Sequence, residues 1–339
     1  MRELIPVLER WTREGKTVAL ASVTERVGSA PRDPGAALAV SSTGEVAGSV
    51  TGGCVEPALI REATDVLAGA PGRLCRYGVG DEDGFDVGLS CGGSIAVAVY
   101  RLDPQVLAEL AAAVAGDRLT ALAVRLDEPR FGEQALLGED AEPAASTLLK
   151  SGRAGVVVAA DGGLRFVEPF LPRPDLYAFG VSAHVAALVP IARSLGYRVT
   201  VCDPRRTLLT RERFPDADAL VDEWPDRFLE HARVDHRTAI CVMAHALKFD
   251  APALAFALRS PAGYVGAMGS AKMRAARTRR LRELGLGDAE LARLRAPIGL
   301  DLGARTPEEV AISIAAELIE TRTAAAAQHS SPPALVGER

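Results

Sequence analysis

The feature that most constrains the fold is an alternation in the second half of the chain. Residues 176–179 are a short apolar run, and Gly180-Val181-Ser182-Ala183 is a turn. Residues 184–195 have helical periodicity and stop at Gly196, a residue suited to a helix C-cap. Residues 198–202 are apolar again and end at Asp203. Strand, helix, strand in this order needs a crossover, and successive crossovers build a parallel sheet covered by helices. The pattern goes on with a strand at 239–244, a helix at 250–259, a strand at 263–267 and a helix at 271–284 opened by Gly269-Ser270. Thr306-Pro307-Glu308-Glu309 starts a last helix with an N-cap Thr, Pro at the first position and Glu at the third. The expected fold is α/β, with a Rossmann-like, doubly wound parallel sheet over 175–323.

The first half has another texture. It opens with a helix at 3–14, followed by strands at 17–24, 37–42 and 46–50. A helix at 55–68, strands at 73–77 and 94–100, a helix at 104–115 and a strand at 119–126 follow. An acidic, Gly-rich loop fills 78–93. Residues 139–145 are acidic and Ala/Pro-containing, which predicts an exposed loop, and 155–160 with 164–170 predict a strand pair. Three prolines within 169–174 mark a boundary. The expected division is a mixed α/β domain over 1–170, the parallel-sheet domain over 175–323, and a disordered tail over 324–339.

At 339 residues, two domains are the natural expectation. A net charge of −5 and the lack of a basic stripe with interleaved aromatics argue against nucleic acid as partner. The basic residues of 272–282, Arg277 among them, spread around a helix and predict a solvated face. No apolar run is long enough for a membrane span. Five scattered cysteines and no secretory leader lead to the expectation of a reducing cytoplasm. No cysteine or histidine spacing indicates a metal site.

Two turns in the first half carry chemistry. Gly52-Gly53-Cys54-Val55-Glu56 runs straight into a helix start, and Cys91-Gly92-Gly93 repeats the pairing of cysteine with two glycines. Glycines let the backbone approach a ligand, and a helix start favours an anion. In the second half, strand, Gly180, helix, strand and Asp203 follow the layout of a dinucleotide-binding unit, in which the acid bonds a ribose. The second and third glycine positions hold Ser182 and Val185, which weakens NAD(P) binding. Gly269-Ser270-Ala271-Lys272 is a second anion-ready turn, set against the plainer reading of a capped helix with a surface lysine. Asp301 lies in the loop-like run 296–303, at the edge of a site or in an ordinary connector.

These residues resemble the XdhC/CoxI family of xanthine dehydrogenase accessory proteins, and its CoxI-like branch in particular. The resemblance rests on 28–36, 48–56 and Gly92-Gly93 in the first half, and on 264–270 and 296–311 in the second. It implies a small N-terminal domain joined to a Rossmann-like domain. It implies a chaperone that binds the molybdenum cofactor, as molybdopterin or its dinucleotide form, rather than a catalyst of xanthine oxidation. It also implies delivery to the apo-form of a molybdenum hydroxylase, support of cofactor sulfuration with a sulfurase, and a homodimer. The family turn Gly-x-Gly-His is Gly180-Val181-Ser182-Ala183-His184 here.

A site for such a ligand needs N–H donors, a cation and a soft ligand. Arg32 would pair a phosphate, Gly52, Gly53, Gly92 and Gly93 would let the chain approach, and Glu56 would orient the ligand or favour the helix dipole. Cys54 and Cys91 would ligate molybdenum or carry a transferable sulfur; core burial and a disulfide between them are the alternatives. Cys75, Cys202 and Cys241 read as small core residues. Three functions follow: a cofactor-binding maturation factor, an NAD(P)-dependent oxidoreductase using the second half, and a non-catalytic scaffold for a molybdoenzyme.

Overall fold

The computed structural model describes residues 1–29, 32–78, 93–244, 247–269 and 271–328. The chain divides into two compact units, Met1–Pro172 and Arg173–Arg339.

The first unit contains α1 (Ile5–Arg13), β1 (Val18–Val27), β2 (Ala37–Ser41), β3 (Val46–Gly48), α2 (Glu56–Leu67), β4 (Arg73–Tyr77), β5 (Ser94–Arg101) and α3 (Pro104–Ala115). It continues with β6 (Thr120–Arg125), β7 (Gln134–Leu137), α4 (Pro143–Ser151), β8 (Gly155–Val158) and β9 (Leu164–Phe170). The strands form two antiparallel sheets, ordered β3-β2-β1-β5-β4 and β7-β6-β9-β8. β1 is apolar on both faces because both are covered. Val18 and Leu20 pack with Leu8, Trp11 and Leu107 from α1 and α3, while Ala19, Ala21 and Val23 pack with Leu59, Ala63 and Val66 of α2.

The loop expected at 139–145 is partly helix, since α4 begins at Pro143. Proline fits the first turn of a helix, where its missing N–H costs nothing. Ala145 and Leu149, one turn apart, then bury against Ala121, Ala123 and Val167.

The second unit contains β10 (Asp175–Phe179), α5 (Ala183–Ser194), β11 (Arg198–Cys202), β12 (Ala219–Val221), α6 (Pro225–His231), β13 (Ala239–Val242) and α7 (Leu247–Arg259). Then come β14 (Tyr264–Ala267), α8 (Ala271–Glu283), α9 (Asp288–Leu291), β15 (Leu294–Arg295) and α10 (Pro307–Gln328). All six strands are parallel, in the order β12-β11-β10-β13-β14-β15. Alternate residues of each central strand enter different cores. Leu176, Val199, Val201 and Cys241 pack under α5 and α10, whereas Tyr177, Phe179, Ile240 and Val242 pack under α6, α7 and α8. This is the doubly wound sheet expected from the alternation.

Sequence order reverses between β10 and β13, which makes their carboxyl ends a topological switch point. Open α/β sheets bind ligands at such a point. The tail expected to be disordered starts as helix, because α10 extends through Ala324 to Gln328; residues 329–339 lie outside the described residues. Among the described residues, no helix is long and apolar enough to cross a membrane.

Candidate functional site

The turn before α2 is built around one carboxylate. Gly52 and Gly53 take φ of 87° and 137°, where a Cβ would meet open space, so conformation and not crowding demands glycine. These angles turn successive backbone N–H groups inward. Val50, Thr51 and Gly52 donate to Glu56 Oε1 at 3.1, 2.8 and 2.9 Å, and Gly53 donates to Oε2 at 2.8 Å. The hydroxyls of Ser49 and Thr51 donate to the same carboxylate at 2.8 and 2.7 Å. Partial burial opposes ionisation of Glu56. Hydrogen bonds from the Thr51 hydroxyl and N–H and from Ser49 outweigh it and hold the carboxyl well below the usual carboxylate range.

The anion cradle expected at this turn is therefore filled from within. Gly52 and Gly53 do present N–H groups to an anion, and that anion is Glu56. Glu56, expected to orient a ligand or favour the helix dipole, holds its own loop through these bonds. The consequence is a rigid platform. Val55, the N-cap of α2, is fully buried, while Cys54 beside it is exposed. Of the other expected participants, Arg32 is exposed in the β1–β2 connection and Gly93 is buried just before β5. Cys91 and Gly92 lie outside the described residues, as does the question of a disulfide with Cys54.

Cys202 and Cys241 are buried core residues, and Cys75 is half-buried against the core. Burial pushes the Cys75 and Cys241 thiols up and Cys202 up to about 12, which keeps them protonated near neutral pH. Among the described residues, no group of three or more His, Cys, Asp or Glu side chains is arranged to hold a metal ion.

In the second unit, the expected residues gather at the carboxyl edge of the parallel sheet, with much of their capacity used. Gly180, at φ 121°, sits so close to the end of β13 that a Cβ would lie 3.2 Å from the Ala244 nitrogen. Ser182 caps α5 through a bond from Val185 N at 3.4 Å. Asp203 is buried, and Arg205 occupies its carboxylate: Oδ1 accepts from the Arg205 backbone N–H at 2.9 Å and Nε at 2.8 Å, and Oδ2 accepts from Nη2 at 2.6 Å. An acid bonded in this way has little left for a ribose hydroxyl.

The loop carrying Asp301 is anchored at the same edge. Ile298 N donates to Ala267 O at 3.1 Å, Gly299 N to Glu317 Oε2 at 2.7 Å and Leu300 N to Ser313 O at 3.1 Å. Tyr264 donates its hydroxyl to the same Glu317 oxygen at 2.6 Å. Beyond these anchors, Asp301 and Leu302 are exposed. Gly269 has φ 144°; Ser270 lies outside the described residues, and so does the Lys272 side chain.

Sequence reasoning missed a buried pair next to this turn. Asp250 of α7 and Arg277 of α8 are 2% and 1% exposed, with Arg277 Nη2 3.6 Å from Asp250 Oδ2. Arg277 thus departs from the solvated face expected of the basic residues around it; its place on the buried stripe of α8 with Leu281, four residues on, was the available signal.

These features define a two-unit α/β protein with an exposed thiol on a carboxylate-clamped turn and a Rossmann-type second unit. Residues 11–78 match the XdhC and CoxI family, and residues 176–318 match the XdhC Rossmann domain. The chain belongs to the XdhC and CoxI family. It is 28% identical over 311 residues to the molybdenum cofactor insertion chaperone PaoD of Escherichia coli, covering 91% of this chain and 84% of that protein. It is 25% identical over 325 residues to a Bacillus subtilis protein named as a probable subunit of xanthine dehydrogenase, covering 93% and 96%. A crystal structure from Bacillus halodurans, described as a xanthine dehydrogenase, superposes with a TM-score of 0.74 at 27% identity, over 97% of this chain and 98% of that one.

Proposed function

We propose that this protein is an accessory factor for the maturation of a molybdenum hydroxylase, binding the molybdenum cofactor and passing it to the apo-enzyme. The observation that carries the reading is the likeness along nine-tenths of the chain to a relative named as a molybdenum cofactor insertion chaperone. The Cys54 turn supports it chemically. A thiolate is a soft ligand for molybdenum, and an exposed one on a fixed loop can bind and release a cargo without rearranging the core.

In this reading the cofactor is cargo, as molybdopterin or its dinucleotide form, and Cys54 is the group that holds it or its sulfur. Arg32, Gly92, Gly93 and Cys91 belong to the same proposed surface. A sulfurase as second partner and pairing of two copies of the chain are part of the proposal. Ile314, Ala315 and Leu318 of α10 are buried, leaving Ile312 and Ile319 outward for a contact between copies. An NAD(P)-dependent activity gains nothing from the geometry, since Asp203 is bonded to Arg205.

The test is reconstitution. Purified protein is loaded with molybdopterin, separated from free pterin, and mixed with an apo-molybdenum hydroxylase. Retained pterin fluorescence and recovered hydroxylase activity are expected. Cys54→Ala is expected to fold normally and lose at least about tenfold in retained cofactor, equivalent to about 1.4 kcal/mol of binding. Full retention by that variant would remove Cys54 from the site, and no retention by the unaltered protein would remove the function.

A further inference from the structure

Arg277 is 1% exposed, and among the described residues its Nε and Nη1 have no hydrogen-bond partner. Only Nη2 is satisfied, donating to Met268 O at 2.7 Å. Asp250 does not complete the fork: its Oδ2 stands 3.6 Å from Nη2 and is itself without a hydrogen bond. A buried donor left unpaired is destabilising, and more so on a charged group. Two on one side chain therefore call for a reason.

Their position supplies one. Met268 and Gly269 connect β14 to α8, at the carboxyl edge of the parallel sheet. α8 runs for 13 residues from Ala271, and the first N–H groups of a helix have no partner within it. Gly269 has φ 144°, and a Cβ there would stand 3.6 Å from Arg277 Nη1 and 3.1 Å from Met273 Cγ. The absent side chain thus leaves the guanidinium facing the turn at the helix start. Guanidinium N–H pairs and helix N-termini are both common protein devices for holding a phosphoryl group.

We propose that Arg277, Gly269 and the first turn of α8 form a binding site for a phosphate ester, with Arg277 as its buried cation. Asp250, beside Nη2, holds the guanidinium in place, and the phosphate accepts a direct hydrogen bond from Nη1, the nitrogen that faces the turn. The site lies wholly in the second unit and does not depend on the maturation reading. A terminal phosphomonoester and a nucleotide diphosphate share the required chemistry.

The experiment is calorimetric titration of the full chain with orthophosphate, pyrophosphate and, as control, acetate at matched ionic strength. Saturable binding of at least one phosphate probe and none of acetate is expected. Tighter orthophosphate binding identifies a monoester site, and tighter pyrophosphate binding a diphosphate site. Arg277→Lys, which keeps the charge but not the fork, should weaken binding at least about tenfold, while Arg280→Ala, which removes an exposed arginine of the same helix, should leave it unchanged. No saturable phosphate binding by the unaltered protein overturns the proposal whatever the variants do. Equal binding of acetate overturns the ligand class, and loss in Arg280→Ala with retention in Arg277→Lys overturns the location. Molybdopterin is absent throughout, so failure here and failure of the maturation reading are separate results.

Discussion

A single carboxylate decides how the Cys54 turn behaves. Glu56 accepts from four backbone N–H groups and two hydroxyls, so removing it leaves donors on a partly buried loop with no acceptor. Glu56→Gln retains the size of the side chain but turns one oxygen into a donor facing other donors. It should cost about 1–3 kcal/mol in urea unfolding at pH 7. The folded carboxyl titrates below its unfolded value, so its stabilisation is complete above about pH 4.3 and is lost as pH falls through the folded value. The stability gap between the two proteins should therefore narrow between about pH 5 and pH 2; a constant gap would show that the effect is not ionic. Asp250 has the opposite sign. Burial pushes its carboxyl up to about 6 against the pull of Arg277. The folded state then holds a proton that the unfolded state releases near pH 4, so this group's contribution falls as pH rises from about 4 to about 6. Asp250→Asn should flatten that part of the unfolding profile. Gly52, Gly53 and the cysteine beside them were legible in the sequence, whereas the exposure of that thiol came from the fold. That Glu56 fills the cradle was not, because a Glu near a helix start looks the same whether it faces a ligand, the dipole or its own loop.

Elements differ in how far local rules reach. The start of α10 was readable residue by residue. Thr306 Oγ1 accepts from Glu309 N at 3.2 Å and Glu309 Oε2 accepts from Thr306 N at 3.0 Å, the reciprocal cap expected from Thr306-Pro307-Glu308-Glu309. β12, α6, α9 and β15 span 3, 7, 4 and 2 residues, too short for a periodic signal to form. α4 was hidden by its own proline and acidic start. The 296–303 loop shows an element anchored by tertiary contacts. Gly299 has φ 91°, and a Cβ there would stand 2.4 Å from Ser313 Oγ and 3.0 Å from Ile314 N. Gly299→Ala should thus lift the loop from α10, break the Gly299 N–H bond to Glu317, and cost about 2 kcal/mol or more in chemical denaturation. Gly303→Ala, at φ 71° with open space around it, should cost less.

On the scale of the whole molecule, each of the five apolar cores among the described residues lies within one unit. A segment with closed cores of its own is expected to fold alone. Residues 173–339 expressed separately should show a cooperative thermal transition and keep the phosphate binding proposed above; a molten, uncooperative product would show that the units share their stability. The alternation of strands and helices after residue 175 determined the doubly wound sheet, since βαβ units admit few arrangements and alternate residues of buried strands must enter opposite cores. Glycine turns and helix caps were equally written in the sequence, because φ and capping are properties of a few neighbouring residues. What those local features do was decided by the tertiary structure. It closed Asp203 with Arg205, filled the Gly52-Gly53 cradle with Glu56, and buried Arg277 beside Gly269. The physical reason is that a hydrogen-bonding group has a capacity of a few bonds. Which partner fills that capacity depends on distances set only when the chain has folded.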